Sequence, residues 1–325
     1  QKLMRLTLAG TLVFLGGSFS WFVVDRLAER TVKRLTPEIE EGLSQALGRP
    51  LKIGEYKGLR SWGLALGASR VMPGANDFSR AKVSGVVLKI APIASLISWR
   101  PVAIIKPQES EVILSPKNDG PYWSSSQTES EGKSNLEIRL QLQKPLRIFL
   151  EPSKVELVAN GKAAFDLQKN NIDGKIDVAF PDGGKLFIGG QGFWDGFEFQ
   201  LKTKLQKLRL KTLQGFLPPQ WKLLAEGNLN GVFELGVNKG KVNCDGDLLL
   251  SDFFLSNKEL IDTLSTKNLN ITCKNQIIKL NPSKWNYGSW QASVTGSIPY
   301  KNSKDIKLGI ASSLQLKDVD NSNLD

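Results

Sequence analysis

From Leu136 onward apolar and polar residues alternate, and this period of two constrains the fold more than any other feature of the chain. Leu136, Ile138, Leu140 and Leu142 fall on one side, while Glu137, Arg139, Gln141 and Gln143 fall on the other. Leu146, Ile148 and Leu150 repeat the pattern. So do Val155 and Leu157, then Ile176, Val178 and Phe180, then Phe197, Phe199 and Leu201. The runs Leu229 to Val237, Val242 to Leu250, Leu269 to Cys273, Trp290 to Val294 and Ile306 to Ile310 follow suit. Asn170-Asn171, Asp173-Gly174 and Asp182-Gly183-Gly184 read as the turns between them. Because every second side chain of a strand returns to the same face, the pattern predicts a long antiparallel sheet, apolar on one side and polar on the other.

Upstream the pattern is more varied. Leu6 to Val24 carries no charge and is just long enough, as a helix of about 20 residues, to span a hydrocarbon core. Trp21 and Phe22 sit near its end, where aromatic rings favour the interface. The run exceeds the apolar region of a cleaved signal peptide, and Leu27-Ala28 makes a poor cleavage site, so residues 1–27 read as an uncleaved signal anchor. Arg26, Arg30, Lys33 and Arg34 follow it, so charge alone does not choose its orientation. Thr36-Pro37-Glu38 then reads as a helix start, with Leu35, Ile39, Leu43 and Leu47 as its apolar stripe. Gly48 and Pro50 stop it. Strands are expected at Leu51 to Tyr56, Gly63 to Ser69, Ala81 to Ile90, Val102 to Lys106 and Glu111 to Ser115, with a short helix over Pro92 to Trp99. Residues 124–134 contain five serines and no apolar side chain, and read as a flexible polar loop. The expected organisation is therefore an anchor (1–27), a helix and β region (28–123), the loop, and a repetitive β region (135–325).

The chain contains no histidine, which removes the commonest general base and most zinc and haem sites. No nucleophile–base pair is recognisable, and an enzyme is not expected. Asp245 with Asp247, and Asp318 with Asp320, read as solvent-facing turn residues rather than catalytic carboxylates. Gly189-Gly190-Gln191-Gly192 leads into no helix and is no phosphate loop. No cofactor or metal is expected. The net charge of +11 favours anionic partners. Its lysines are spread along the alternating segments as on a solvated sheet face, and no nucleic-acid-binding motif accompanies them. Cys244 and Cys273 fall in phase with apolar neighbours and read as small buried hydrophobes, a disulfide between them remaining open in an oxidising compartment. Trp123, Trp194 and Trp285 read as packing residues.

Three stretches carry a family resemblance. The first is Leu43-Ser44-Gln45-Ala46-Leu47-Gly48-Arg49-Pro50-Leu51-Lys52-Ile53-Gly54, continued by Gly58 to Gly63 and Gly67-Ala68-Ser69. The second runs from Pro92 through Pro101 and Val102-Ala103-Ile104-Ile105-Lys106-Pro107 to Asp119-Gly120-Pro121-Tyr122-Trp123. The third is Leu213 to Pro218, followed by Gly227 to Leu235, Gly246 to Leu250 and Val294 to Ile298. In this order after a signal anchor, they resemble the amino-terminal region of TamB-like proteins of the AsmA-like superfamily. That resemblance implies a single-pass inner-membrane protein. Its bulk would be periplasmic, a long curved sheet forming an open, taco-shaped groove that conducts phospholipid acyl chains between inner and outer membrane.

It also implies a chain that continues into a carboxy-terminal region contacting an outer-membrane assembly barrel. Groove-lining positions on this reading are Leu136, Ile138, Leu140, Ile148, Ile176, Val178, Phe180, Phe197, Phe199, Leu201, Phe233, Leu235, Leu248, Ile271 and Val294. The competing expectation is a membrane-tethered β scaffold that assists outer-membrane protein assembly without carrying lipid.

Overall fold

Glycines set the first bends of the chain. The computed structural model describes residues 23–41, 44, 47–60, 63–117, 122–123, 135–151, 153–193, 198–213, 224–238, 241–256, 262–274, 276–299 and 307–313. These are mainly strand, with few helices, and they fall into two compact units, Gln1–Lys144 and Pro145–Asp325.

The first unit opens with helix α1 (23–41) and continues through β1 (Leu51–Lys52), β2 (Tyr56–Arg60), β3 (Gly63–Leu66), β4 (Ser69–Val71), β5 (Arg80–Val83) and β6 (Val86–Ile90). Helix α2 (Pro92–Ser98), β7 (Val102–Pro107), β8 (Ser110–Leu114) and β9 (Glu137–Gln141) complete it. Taken in pairs, β1/β2, β3/β4, β5/β6 and β7/β8 are four bent strands, each antiparallel to the next. A Cβ on Gly54 would lie 2.2 Å from the Gly67 carbonyl carbon, so only glycine lets the first bend nest in the second. Gly67 N–H donates to Glu55 O there, and Gln108 N–H to Gly85 O at the next pair of bends.

Several expectations are corrected in this unit. The sheet is not wholly antiparallel, because β9 runs parallel to β7. The long excursion after β8 lets the chain return in the same direction, as a parallel pair requires. Nor does Thr36 cap a helix. Helix α1 runs through it, and its hydroxyl donates back to Val32 O at 2.7 Å, which leaves Pro37 inside the helix. The first half of the expected stripe is turned outward as well, Leu35 being 41% and Ile39 46% exposed, whereas Leu47 is half-buried and Leu43 lies outside the described residues. The half-buried positions of the helix are instead Asp25, Ala28, Glu29, Val32, Thr36 and Glu40. Glu40 fixes that rotation by accepting the Ile53 N–H.

Asp25, just past the expected membrane span, ties α1 to β2 by accepting from the Tyr56 hydroxyl at 2.6 Å and the Leu59 N–H at 3.0 Å. Leu6 to Phe22 lie outside the described residues, and among those described no helix is long and apolar enough to cross a membrane. The expected loop 124–134 lies outside them too.

A charged cluster is buried in this unit. Arg49 pairs with Asp77 through both guanidinium nitrogens, at 2.7 and 3.0 Å, with both side chains wholly buried. It also donates to Ser79 O and lies 3.8 Å beneath the Trp123 ring. Two stretches that carry the family resemblance, around Arg49 and Trp123, thus meet at one point. Glu137 differs from expectation similarly: it is buried and accepts from Arg100 and Arg139 instead of facing water.

The second unit is simpler. Its strands are β10 (Leu146–Leu150), β11 (Val155–Asp166), β12 (Asn171–Ala179), β13 (Lys185–Phe193), β14 (Glu198–Arg209), β15 (Leu224–Asn238), β16 (Lys241–Ser256), β17 (Leu264–Lys274), β18 (Ile277–Tyr287), β19 (Trp290–Pro299) and β20 (Lys307–Ser313). One short helix, α3 (Leu210–Leu213), follows β14. Each strand pairs antiparallel with the next, and among the described residues no pairing joins β20 back to β10. Asp173-Gly174, expected in a turn, lies inside β12, and the turn falls before it, with Asn170 in the left-handed region at φ 53°. Asp245 and Asp247 likewise lie within β16, exposed on its polar face.

Candidate functional site

The strand register gathers the alternating residues of the second unit into continuous rows. Leu146, Ala159, Val178, Leu186, Leu205, Gly231, Leu248, Ile271, Leu280 and Gly296 follow one another directly across the strands, and the register carries the row on to position Leu308. Every position is apolar or glycine. The row one residue along, on the opposite face, runs Asn160, Asp177, Phe187, Lys204, Val232, Asp247, Thr272, Lys279 and Ser297. Alternation in the sequence has become a two-faced sheet.

Of the fifteen predicted lining residues, ten lie on this apolar face: Ile148, Ile176, Val178, Phe199, Leu201, Phe233, Leu235, Leu248, Ile271 and Val294. Phe180 sits at the turn after β12, buried at 6% exposure. Leu136, Ile138 and Leu140 belong to the first unit, where Leu140 ends a separate apolar row of Leu59, Leu64, Leu88 and Ile105. Phe197 lies outside the described residues.

Burial along the face is graded. Leu157, Leu208, Leu250 and Leu269 are all below 9% exposed, on the side of the main row nearer Leu150. On the other side Ile176, Val242 and Ile298 are 45%, 44% and 43% exposed. A cavity of about 340 Å³ lies at the same end but mainly on the opposite face, lined there by Asn171, Gln191, Phe193, Glu198, Gln200, Gly236, Asn238 and Asn243, with Gly192, Phe199 and Val237 contributed from the apolar side.

Sequence reading missed β13 and β18. The run Gly189-Gly190-Gln191-Gly192 hides β13, yet its glycines serve the face. A Cβ on Gly190 would meet Leu201 Cδ2 at 2.5 Å, and one on Gly192 would meet Phe199 Cδ1 at 2.3 Å. These glycines leave room for large neighbours to lie flat over the sheet. Pro282 hides β18, which accommodates it at the register shift between Leu280 and Ser283. The alternating Leu186 and Ile188, and Ile278 and Leu280, were the available signals.

Cys244 and Cys273 are not separate buried hydrophobes. They are half-buried on this face and joined as a disulfide, Cα atoms 5.7 Å apart. The register pairs Gly246 with Cys273, which places Cys244 diagonally across from it on the same face. Trp285 packs edge-on against Phe253 and donates to Ser283 Oγ, while Trp194 lies outside the described residues. Among the described residues no cluster of His, Cys, Asp and Glu could hold a metal ion.

At the other end of the chain, burial and the hydrogen bond to Asp25 push the Tyr56 hydroxyl up to about 12. The Asp25–Tyr56 link therefore keeps its proton throughout the neutral range. Comparison with protein-family models, characterised proteins and solved structures returns no match.

Proposed function

We propose that this chain is a membrane-anchored, periplasmic β protein of the TamB/AsmA-like kind, whose apolar sheet face carries phospholipid acyl chains between the inner and outer membranes. It performs no chemistry of its own on this reading. One observation carries the proposal: an uninterrupted apolar row crosses the second unit from Leu146 to Gly296, and no second sheet is present among the described residues to cover it. A diacyl lipid has on the order of 30 methylenes, whose exposure to water costs roughly 25 kcal/mol at about 0.8 each. Scattered surface leucines cannot offset that, whereas a continuous strip can.

Two further features support the reading. The disulfide suits an oxidising compartment such as the periplasm. The side chains of the strip are half-exposed toward Ile176, Val242 and Ile298, which is unusual for a face whose only role is to be a core.

The test is mass spectrometry of lipids that co-purify with the full chain, compared with the variants Phe199→Asp and Leu248→Asp. Co-purified phospholipid that is lost in both variants, with strand content unchanged by circular dichroism, supports lipid carriage. Protein free of phospholipid, or lipid retained in both variants, would leave the tethered scaffold as the better account.

A further inference from the structure

Helix α2 is built inside out for a helix in water. A surface helix ordinarily turns its large apolar residues toward the protein and its small polar ones outward. Here Ala94, Ser95 and Ser98 are the half-buried positions. Ser95 Oγ accepts the Val102 N–H at 2.9 Å, and Ser98 Oγ donates back to Ala94 O. Outward, at the i, i+3, i+4 spacing of one helical face, stand Ile93, Leu96 and Ile97, exposed by 75%, 69% and 76%. Ile90 and Trp99 flank them at 63% and 86%. No residue of the helix is buried.

Trp99 adds an independent observation. It closes the helix in the left-handed conformation, φ 52° and ψ 33°, where glycine is the usual residue and a bulky side chain is costly. A tryptophan kept in that conformation, with its ring in solvent, is not there for packing. Indole favours the boundary between water and hydrocarbon.

The surroundings are basic. The register row Arg60, Gly63, Lys89, Ile104 and Arg139 crosses the sheet one residue short of Ile90, and Arg100 directly follows Trp99. Arg100, only 13% exposed, and Arg139 pair with the carboxylate of Glu137, so the rim is carried by Arg60, Lys89 and the 40% exposed Arg139. An apolar tip with an indole at its shoulder and a cationic rim is complementary to an anionic bilayer surface. A protein groove would need a matching apolar slot, but it would have no need of the charge.

We infer that α2 inserts Ile93, Leu96, Ile97 and Trp99 into the surface of an anionic bilayer, docking the first unit on the leaflet. The inference rests on the membrane-anchored reading for the nearness of a bilayer, but not on lipid carriage by the second unit. All four side chains are exposed, so their replacement removes no internal packing.

The experiment uses the full chain with Leu96→Cys labelled by an environment-sensitive fluorophore, the native cysteines being disulfide-bonded. Vesicles of phosphatidylglycerol and phosphatidylcholine, some bearing nitroxide lipid, are added. Flotation reports whether the chain is on the membrane, and quenching of the probe reports whether α2 is in it. The expected result is quenching in anionic vesicles. The ratio of inserted to free probe should fall about tenfold or more when Ile93 and Ile97 are both replaced by Asp, since each loses more than one apolar side chain's transfer energy.

A chain that floats with the vesicles while its probe stays in water overturns the docking and leaves the anchor reading intact. A chain that fails to float, with its probe in water, overturns both. A probe shielded without vesicles, increasingly so at higher protein concentration, means that a second copy covers α2 and also overturns the proposal. Equal quenching in pure phosphatidylcholine removes the role assigned to the basic rim.

Discussion

Replacing Asp77 by alanine removes the carboxylate that Arg49 grips with both nitrogens and leaves that guanidinium in a wholly buried site. The backbone acceptor Ser79 O, at 2.9 Å, and the face of Trp123 stay in place but carry no full negative charge. Stranding one member of a buried ion pair costs about 3–5 kcal/mol, because the surviving charge keeps its desolvation penalty without its partner. The hydrogen bond from Ser79 N–H to Asp77 Oδ1, at 2.9 Å, is lost with it. At an unfolding entropy of about 2 cal/mol/K per residue, that cost lowers the melting temperature of a unit the size of Gln1–Lys144 by roughly 10–15 °C. Hydrogen exchange followed by mass spectrometry is the appropriate assay, since it reads each unit separately. Peptides around Arg49 and Asp77 should lose protection while those of the second unit keep theirs. Replacing both partners by apolar residues, Arg49→Met with Asp77→Leu, should recover most of the loss. The reasoning fails if Asp77→Ala costs less than about 1 kcal/mol, or if the double variant is as unstable as the sum of the two single ones.

Three other outcomes follow from the same geometry. Reducing the Cys244–Cys273 bond frees a loop spanning 29 residues, and the stability of the second unit to chemical unfolding should drop by about 3–4 kcal/mol on the chain-entropy account. Gly190→Val should destabilise by about 1–3 kcal/mol through its collision with Leu201. Gly236→Ala, whose Cβ would meet only Asn243 at 4.0 Å, should be tolerated. Tyr56, raised to about 12 by burial and by Asp25, holds its proton more tightly folded than unfolded. The stability it contributes is therefore complete below the ordinary tyrosine value near 10 and is lost as the pH climbs through about 12. Burial raises Tyr122 as well, so ultraviolet titration should show two tyrosines ionising late, and Tyr56→Phe should remove one of those steps and leave the other.

The second unit was legible in the sequence because one physical rule governs it. A strand with one face toward an apolar environment must alternate, and Ile176-Asp177-Val178 states that rule within three residues. Where the rule is broken for a local reason, the reading failed. Glycines at 190 and 192 exist to admit Leu201 and Phe199, and they erased the very periodicity that would have marked β13. Pro282 did the same for β18. The first unit was less legible because its decisive contacts join distant residues. Nothing near Thr36 says that its hydroxyl bonds to Val32 O, and nothing near Arg49 says that it will find Asp77 28 residues further along the chain. The pairing of the cysteines was open for the same reason: spacing allows it, but only the register of β16 on β17 brings the two onto one face. The exposed face of α2 was hidden differently. Its composition is ordinary, and only its rotation, fixed by Ser95 and Val102, makes it unusual.

From β12 to β19 each strand takes its ladder hydrogen bonds from the strands just before and after it in the chain. Among the described residues no pairing closes this ladder. A hairpin inserted between two existing ones would find the same kind of edge that its neighbours found, and would lengthen the sheet by about 4.8 Å per strand without asking the rest to rearrange. Length is then a matter of gene duplication rather than redesign, and the extent of the apolar face is written in the strand count.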